Sequence, residues 1–316
     1  MENRVRIGVS ACLLGQPVRY DGGHKHDRYI TDILGQYLEF VPVCPEVEAG
    51  FPIPRETFRL VGDPETPRLV TTRSQVDHTE RMTTWAEKRV QELEKENLCG
   101  FIFKSDSPSS GLERVKVYNA KGMAEKKGVG LFARAFTQHF PLIPVEEEGR
   151  LNDAKIRETF IEQLFTLRRW REITAQGRIL KNLVDFHTRH KLLILSHSPV
   201  HYKQMGKHVA EAKKVGMRLA YTEYERLLME ALHLKTTRKK NLNVLQHILG
   251  YFKQELGADE KQEMLEILDQ YRNEVVPLVV PVTLMNHYVR KYNEPYLKQQ
   301  VYLNPHPIAL KLRNHV

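Results

Sequence analysis

Short apolar runs alternate with amphipathic stretches of helix length in the first half of the chain, and the second half has helical spacing almost throughout. Residues 4–9 (RVRIGV) read as a first strand, followed by a turn at 14–16 and a flexible polar loop, Arg19-Tyr20-Asp21-Gly22-Gly23. Residues 31–38 suggest a helix, 39–43 (EFVPV) a second strand ending at Cys44, and 51–68, rich in Pro and Gly, a stretch that is mostly loop. In 77–97, Met82, Trp85, Ala86, Val90 and Leu93 recur on one helical face. Residues 100–103 form a short third strand, 128–136 open a helix after a Gly turn, and 141–145 make a last strand. Strands alternating with helices predict an α/β domain with a parallel sheet over residues 1–150.

The pattern then changes. Residues 152–171 read as a connecting helix with Ile156, Phe160, Leu164 and Leu167 inward. Leu183, Phe186, His190, Leu193 and Ile194 recur at helical spacing, then Val209, Ala212, Val215 and Leu219, then Tyr224, Leu227, Leu228 and Leu232. Two further helices are expected over 243–256 and 260–271; Pro277 to Pro281 interrupt, and 284–292 resume. The tail, 301–312, has the prolines of an extended covering strand. An all-α domain over residues 151–316 follows.

With 316 residues the chain has room for two such domains. No apolar run reaches the ~18 residues of a membrane span, and the start reads as a strand rather than a signal peptide, so a cytoplasmic protein with no membrane partner is expected. Three cysteines, far apart and without a CxxC pair, exclude a dense disulfide framework and a zinc ribbon. The net charge of +9 is lopsided. Residues 1–150 hold 21 Lys and Arg against 22 Asp and Glu, and the rest hold 27 against 17. The first half has the balance of a neutral enzyme and the second that of a polyanion binder.

Chemistry concentrates in three motifs: SACLLG with Cys12, VCPEVEAGFPIPRE with Cys44, and FKSDSPSSG from Phe103 to Gly111. Each follows or closely trails a predicted strand. Parallel strands would bring their carboxyl ends to one sheet edge, where open α/β folds place their sites. Two cysteines, a carboxylate and a hydroxyl-rich turn in one crevice suggest a metal or sulfur site. Cys99 precedes its strand and is expected at the other edge, buried, roughly 15 Å or more from Ser110. Arg168, Arg169 and Arg171 around Trp170, and Lys235, Arg238, Lys239 and Lys240 near a helix start, suit phosphate contact and base stacking. A domain face or a solvated surface would use the same residues. His187, His190, His197 and His201 are spaced like a metal cluster but lack an HExxH glutamate, so packing, helix ends or RNA contact account for them better. GVGLFAR has too few glycines for a dinucleotide fingerprint.

SACLLG with VRYDGG, CPEVEAG with PRE, and KSDSPSSG, in this order, resemble the TudS family of thiouracil desulfidases over roughly residues 4–145. ERVKVYNAKG, GVGLFAR, PVEEEGRLND and LVDFHTRHKLLILSHS extend the resemblance to the two-domain RudS group of tRNA 4-thiouridine desulfidases, with a YbgA-like helical C-terminal domain. The resemblance implies a 4Fe–4S cluster held by three cysteines, an open iron that takes the sulfur, and a helical domain that binds tRNA. By motif, Cys12 and Cys44 would be ligands, Glu46 the acid/base, and Ser107 the group that positions base or water. The family's third ligand is the cysteine of SPSCG, and here that position is Ser110. Three outcomes stay open: Ser110 ligates, Cys99 substitutes, or the cluster is weakened or lost. The expected function is sulfur removal from a thiolated pyrimidine nucleoside, 4-thiouridine in tRNA above all. The alternative is an RNA-binding protein with weakened or no desulfidase activity.

Overall fold

Residues 4–315 are described by the computed structural model. Two compact units divide the chain, Met1–Asp153 and Ala154–Val316.

The first unit holds strands β1 (Val5–Ser10), β2 (Leu38–Val43), β3 (Phe58–Val61), β4 (Arg68–Thr71), β5 (Phe101–Phe103), β6 (Val115–Tyr118), β7 (Ala124–Gly128) and β8 (Val145–Glu147). Its helices are α1 (Pro45–Glu48), α2 (Thr79–Leu93) and α3 (Leu131–His139). The main sheet runs β2-β1-β5-β8, every neighbouring pair parallel. β1 lies inside it, and Val5, Ile7 and Val9 have no solvent exposure. Gly8 faces the Phe101 ring, and a Cβ there would sit 2.2 Å from it. Gly8→Ala is therefore expected to cost about 1–3 kcal/mol through overpacking, read as a lower urea midpoint of the full chain; an unchanged midpoint would refute it.

A second sheet, order β4-β3-β6-β7, was not expected. β3 and β6 are parallel, and the outer pairs are antiparallel. Its core joins Leu60, Leu69, Val115 and Val117 to Phe51, Met82 and Leu131. The stretch 51–68, read as mostly loop, thus contains β3. The helix expected over 31–38 is instead a π-helical turn, Tyr29–Ile33, then a 3₁₀ turn, Leu34–Gln36; two turns cannot repay the cost of helix nucleation. The last strand starts at Val145 and not at 141, because Pro141 and Pro144 have no N–H for the ladder; Pro144 only accepts, from the Phe101 amide. The helix expected from 128 starts at Leu131, since Gly128 closes β7.

The second unit is helical: α4 (Ala154–Ala175), α5 (Leu180–His197), α6 (Pro199–Val215), α7 (Met217–His233), α8 (Arg238–Leu249), α9 (Ala258–Arg272) and α10 (Val279–Lys291). The helix read as a connector, α4, belongs to this core. Its Trp170 packs on Phe186, Tyr221 and Tyr224. Val215 and Leu219, expected inside, are exposed, because Gly216 at φ +87° breaks the chain between α6 and α7. α8 starts earlier than expected, capped by Thr237. Pro281 falls in the first turn of α10, where no intrahelical N–H is needed. The tail covers the core, burying Tyr302, Leu303, Leu310 and Leu312, but as two 3₁₀ turns rather than a strand. An all-helical unit offers it no sheet edge to pair with. Among the described residues no helix is long and apolar enough to cross a membrane.

Candidate active site

The carboxyl ends of β1, β2 and β5 open onto one pocket of about 340 Å³. Cys12, Cys44, Glu46, Ser107, Ser109 and Ser110 all line it, together with Arg19, Arg55 and Lys104.

Each residue is set by its element. Cys12 sits on the 3₁₀ turn Ala11–Leu14, which ends at Gly15 with φ +84°. Its carbonyl accepts from the Lys25 amide at 2.9 Å, which draws the polar loop back over the pocket. Cys44 directly follows β2, and its amide donates to Glu48 at 2.9 Å. Glu46 lies in the turn after it and is held on both oxygens. Oε1 accepts from Ser109 Oγ at 2.9 Å. Oε2 accepts from Arg55 Nε at 2.9 Å and also from Nη2. The Arg55 side chain is 4% exposed, and Nη2 also donates to the Val18 carbonyl at 3.0 Å.

The serine turn is built from its own backbone and from α3. Ser110 N–H donates to Ser107 Oγ at 3.1 Å, and Gly111 N–H to the Ser107 carbonyl at 2.8 Å. Amides at the start of α3 cap it: Phe132 donates to the Ser109 carbonyl at 2.9 Å, and Gly130 to the Gly111 carbonyl at 2.7 Å. A Cβ on Gly130 would sit 2.5 Å from the Ser109 carbonyl carbon. This close approach is the use of the GVGLFAR glycines. Lys104 ties the edge together: its amide donates to Ser10 Oγ at 2.9 Å, and its ammonium pairs with Glu148 at 2.5 Å.

Burial, and then the charge of Cys44, push the Cys12 thiol up to about 11; Lys104 and Arg19 pull the other way. Burial also raises Cys44, against the pull of nearby backbone N–H groups. Such thiols stay protonated at neutral pH unless a cation takes the proton's place, as a bound metal does. Cys12 and Cys44 are soft donors of the kind an iron–sulfur group takes, and the Ser110 hydroxyl in the same pocket lining is a harder one. Among the described residues no three His, Cys, Asp or Glu side chains gather as a metal set. Cys99 is elsewhere. Its amide donates to the Arg6 carbonyl at 2.8 Å, and Arg6 lies near the start of β1, roughly 13 Å of strand before Ser10. No cysteine is in a disulfide.

The basic residues singled out in the second unit divide. Trp170 is 1% exposed and stacks inside the core, so it is no base-stacking platform. Arg169 turns inward and donates to the Pro305 carbonyl. Lys240 is spent on the His197 and Lys235 carbonyls, at 2.6 and 2.9 Å. Arg168 pairs with Glu172, Arg238 pairs with Glu274, and Arg171 is half-buried. Lys235 and Lys239 are exposed. The histidines have separate protein partners: Tyr224 for His187, the Phe186 carbonyl for His190, Glu162 for His197 and Ser198 for His201.

Arg55, Ser109 and Lys104 were not singled out from the sequence. All three lie inside the motifs, in PRE, SPSSG and FKSD. Only the fold shows which of their neighbours they meet.

The 2-thiouracil desulfurase family model matches residues 7–148, and DUF1722, a family of unknown function, matches 191–307. YbbK of Bacillus subtilis (strain 168), an uncharacterized protein, is 32% identical over 153 residues, which cover 46% of this chain and 98% of YbbK. YbgA of Escherichia coli (strain K12), also uncharacterized, is 27% identical over 165 residues, covering 52% of this chain and 98% of YbgA. A solved structure, the [4Fe-4S]-dependent thiouracil desulfidase TudS, is 30% identical with a TM-score of 0.39 and covers 48% of this chain and 95% of that one.

Proposed function

This chain belongs to the 2-thiouracil desulfurase family, and we propose that it removes sulfur from thiolated uridine, in particular 4-thiouridine in tRNA, using an iron–sulfur group. The observation that carries the reading is the meeting of Cys12, Cys44, Ser110 and Glu46 in one pocket at the carboxyl edge of a parallel sheet. Cys12, Cys44 and Ser110 would hold the group. When bound, it supplies an open Lewis-acid position suited to a soft sulfur. The net change is water in and hydrogen sulfide out: the water oxygen replaces sulfur on the ring carbon, and both water protons end on the sulfur. Glu46 is placed to take and return a proton. Arg55 orients it.

The tRNA part rests on charge. Residues 151–316 hold 27 Lys and Arg against 17 Asp and Glu, which suits a phosphate backbone. Incubating anaerobically reconstituted protein with 4-thiouridine-bearing tRNA, and counting nucleosides by mass spectrometry, tests the reading. Uridine and sulfide should appear in equal amounts. Intact 4-thiouridine after incubation refutes desulfuration. Ser110 favours a second reading, an RNA-binding protein without turnover; it predicts salt-sensitive tRNA binding and no sulfide.

A further inference from the structure

We propose that Ser109 is a positioning residue that joins Ser107 to Glu46 in a directed proton path from the pocket; the proposal rests on the desulfidase reading. Three observations fix the path. Arg55 takes Glu46 Oε2, which leaves Oε1 for proton exchange. Ser109 Oγ covers Oε1 at 2.9 Å, and Ser109 is 2% exposed. Ser107 Oγ lies 3.0 Å from Ser109 Oγ.

A hydroxyl has one proton and two lone pairs. Ser109 Oγ donates to Glu46 Oε1, so its one proton is spent there. Ser109 must then accept from Ser107, and Ser107 spends its own proton on Ser109. The Ser110 amide, at 3.1 Å, fills one lone pair of Ser107 Oγ. The Ser109 amide reaches the other lone pair only at 3.4 Å, a long contact that a pocket water can displace, and Ser107 lines the pocket. The three groups therefore form a chain with one direction, from pocket to carboxylate.

The step balances. As the oxygen of a pocket water bonds to the sulfur-bearing carbon, one water proton passes to Ser107 Oγ. The Ser107 proton moves to Ser109 Oγ, and the Ser109 proton to Glu46 Oε1. When the carbon–sulfur bond breaks, its electron pair leaves on sulfur, and the remaining hydroxyl yields its proton to form the carbonyl. The path runs backward and releases the stored proton. Sulfur departs as hydrogen sulfide, and Glu46 is again a carboxylate. Ser109 touches no reacting atom in this scheme. It holds the hydrogen-bond direction and bridges a gap that Ser107 and Glu46 do not close themselves.

The test compares Ser109→Ala and Ser109→Thr, each made in the unaltered chain and in the Ser110→Cys chain. Ser109→Ala should lower kcat about tenfold with KM within twofold, and should turn a curved proton inventory in mixed H₂O and D₂O linear. Ser109→Thr, which keeps the hydroxyl, should recover both. In iron-free protein, the Glu46 side-chain carboxyl ¹³C resonance, assigned with Glu46→Gln, should move in Ser109→Ala and return in Ser109→Thr. Parental kcat in Ser109→Ala, or an unmoved resonance, overturns the proposal. If neither parent chain releases sulfide while the resonance still moves, the desulfidase reading falls, and Ser109 stands as the residue that positions Glu46.

Discussion

Ser110→Cys is expected to raise iron retention after anaerobic reconstitution, and with it sulfide release from thiolated uridine, by about 100-fold in kcat/KM. The argument is one of donor chemistry. Cys12 and Cys44 face the pocket with thiols that burial holds protonated. A cluster must displace those protons and then find a third anionic donor. A serine hydroxyl ionises far less readily than a thiol and is a harder ligand for iron. Even partners that only orient a metal ligand cost 10–100-fold in metal affinity or activity when lost, so a replaced direct donor belongs at the upper end. The backbone position is already correct: Ser110 is 4% exposed, lines the pocket, and is pinned by its amide to Ser107. One atom changes and the turn does not. Ser110→Ala should lose whatever iron the serine holds. Iron per chain and the lifetime of the chromophore in air are the measurements. Equal retention in the serine, alanine and cysteine forms would show that position 110 holds no iron.

The parallel sheet was legible because RIGV, FVPV and FIF are apolar runs, two of them leading directly into a chemistry-bearing motif, and the topology then fixes their shared edge. The second sheet was not. β3 lies in a Pro- and Gly-rich stretch, and all of β7 except Gly128 is exposed and charged or small, so no period-2 signal marks it. Trp170 was misread by proximity to three arginines, although it lies three residues beyond Leu167 on the inward stripe that Phe160 and Leu164 begin. Helical phase was the better guide. Arg55 and Ser109 meet Glu46 across separations of 9 and 63 residues. Motif spacing cannot show that one carboxylate takes both. Arg313 and Glu162, 151 residues apart, are beyond any local pattern.

That last pair underlies the largest stability effect expected in the molecule. Arg313→Met should destabilise the second unit by about 3–5 kcal/mol, the cost of leaving buried charge without its partner. The Arg313 guanidinium is 8% exposed. It donates to Glu162 Oε1 at 2.8 Å and to the Tyr302 carbonyl at 2.7 Å, and lies 3.4 Å from Glu158. It therefore fastens the tail to α4, and Glu162 passes the contact on to His197 of α5 at 3.2 Å. Burial opposes ionisation of Glu162, but Arg313 and His197 overcome it and hold this carboxyl below the usual range. Burial, and then the Glu162 charge, push Glu158 up. The two shifts act on stability with opposite signs. For Glu162, depressed when folded, the contribution is present above the ordinary carboxylate value near ~4.3 and is lost as pH falls below it. For Glu158, raised when folded, the contribution is present below that value and is lost as pH rises toward neutrality. The pair alone thus favours mildly acidic pH, and unfolding should become easier between about pH 5 and 7. Glu158→Gln removes the group that causes this decline and should flatten it, while Arg313→Met should lower the midpoint throughout. Urea unfolding of the full chain can follow the second unit alone, because its tryptophan is Trp170, and Trp85→Phe silences the other. A midpoint in Arg313→Met equal to that of its parent would show that the tail is not held by this charge.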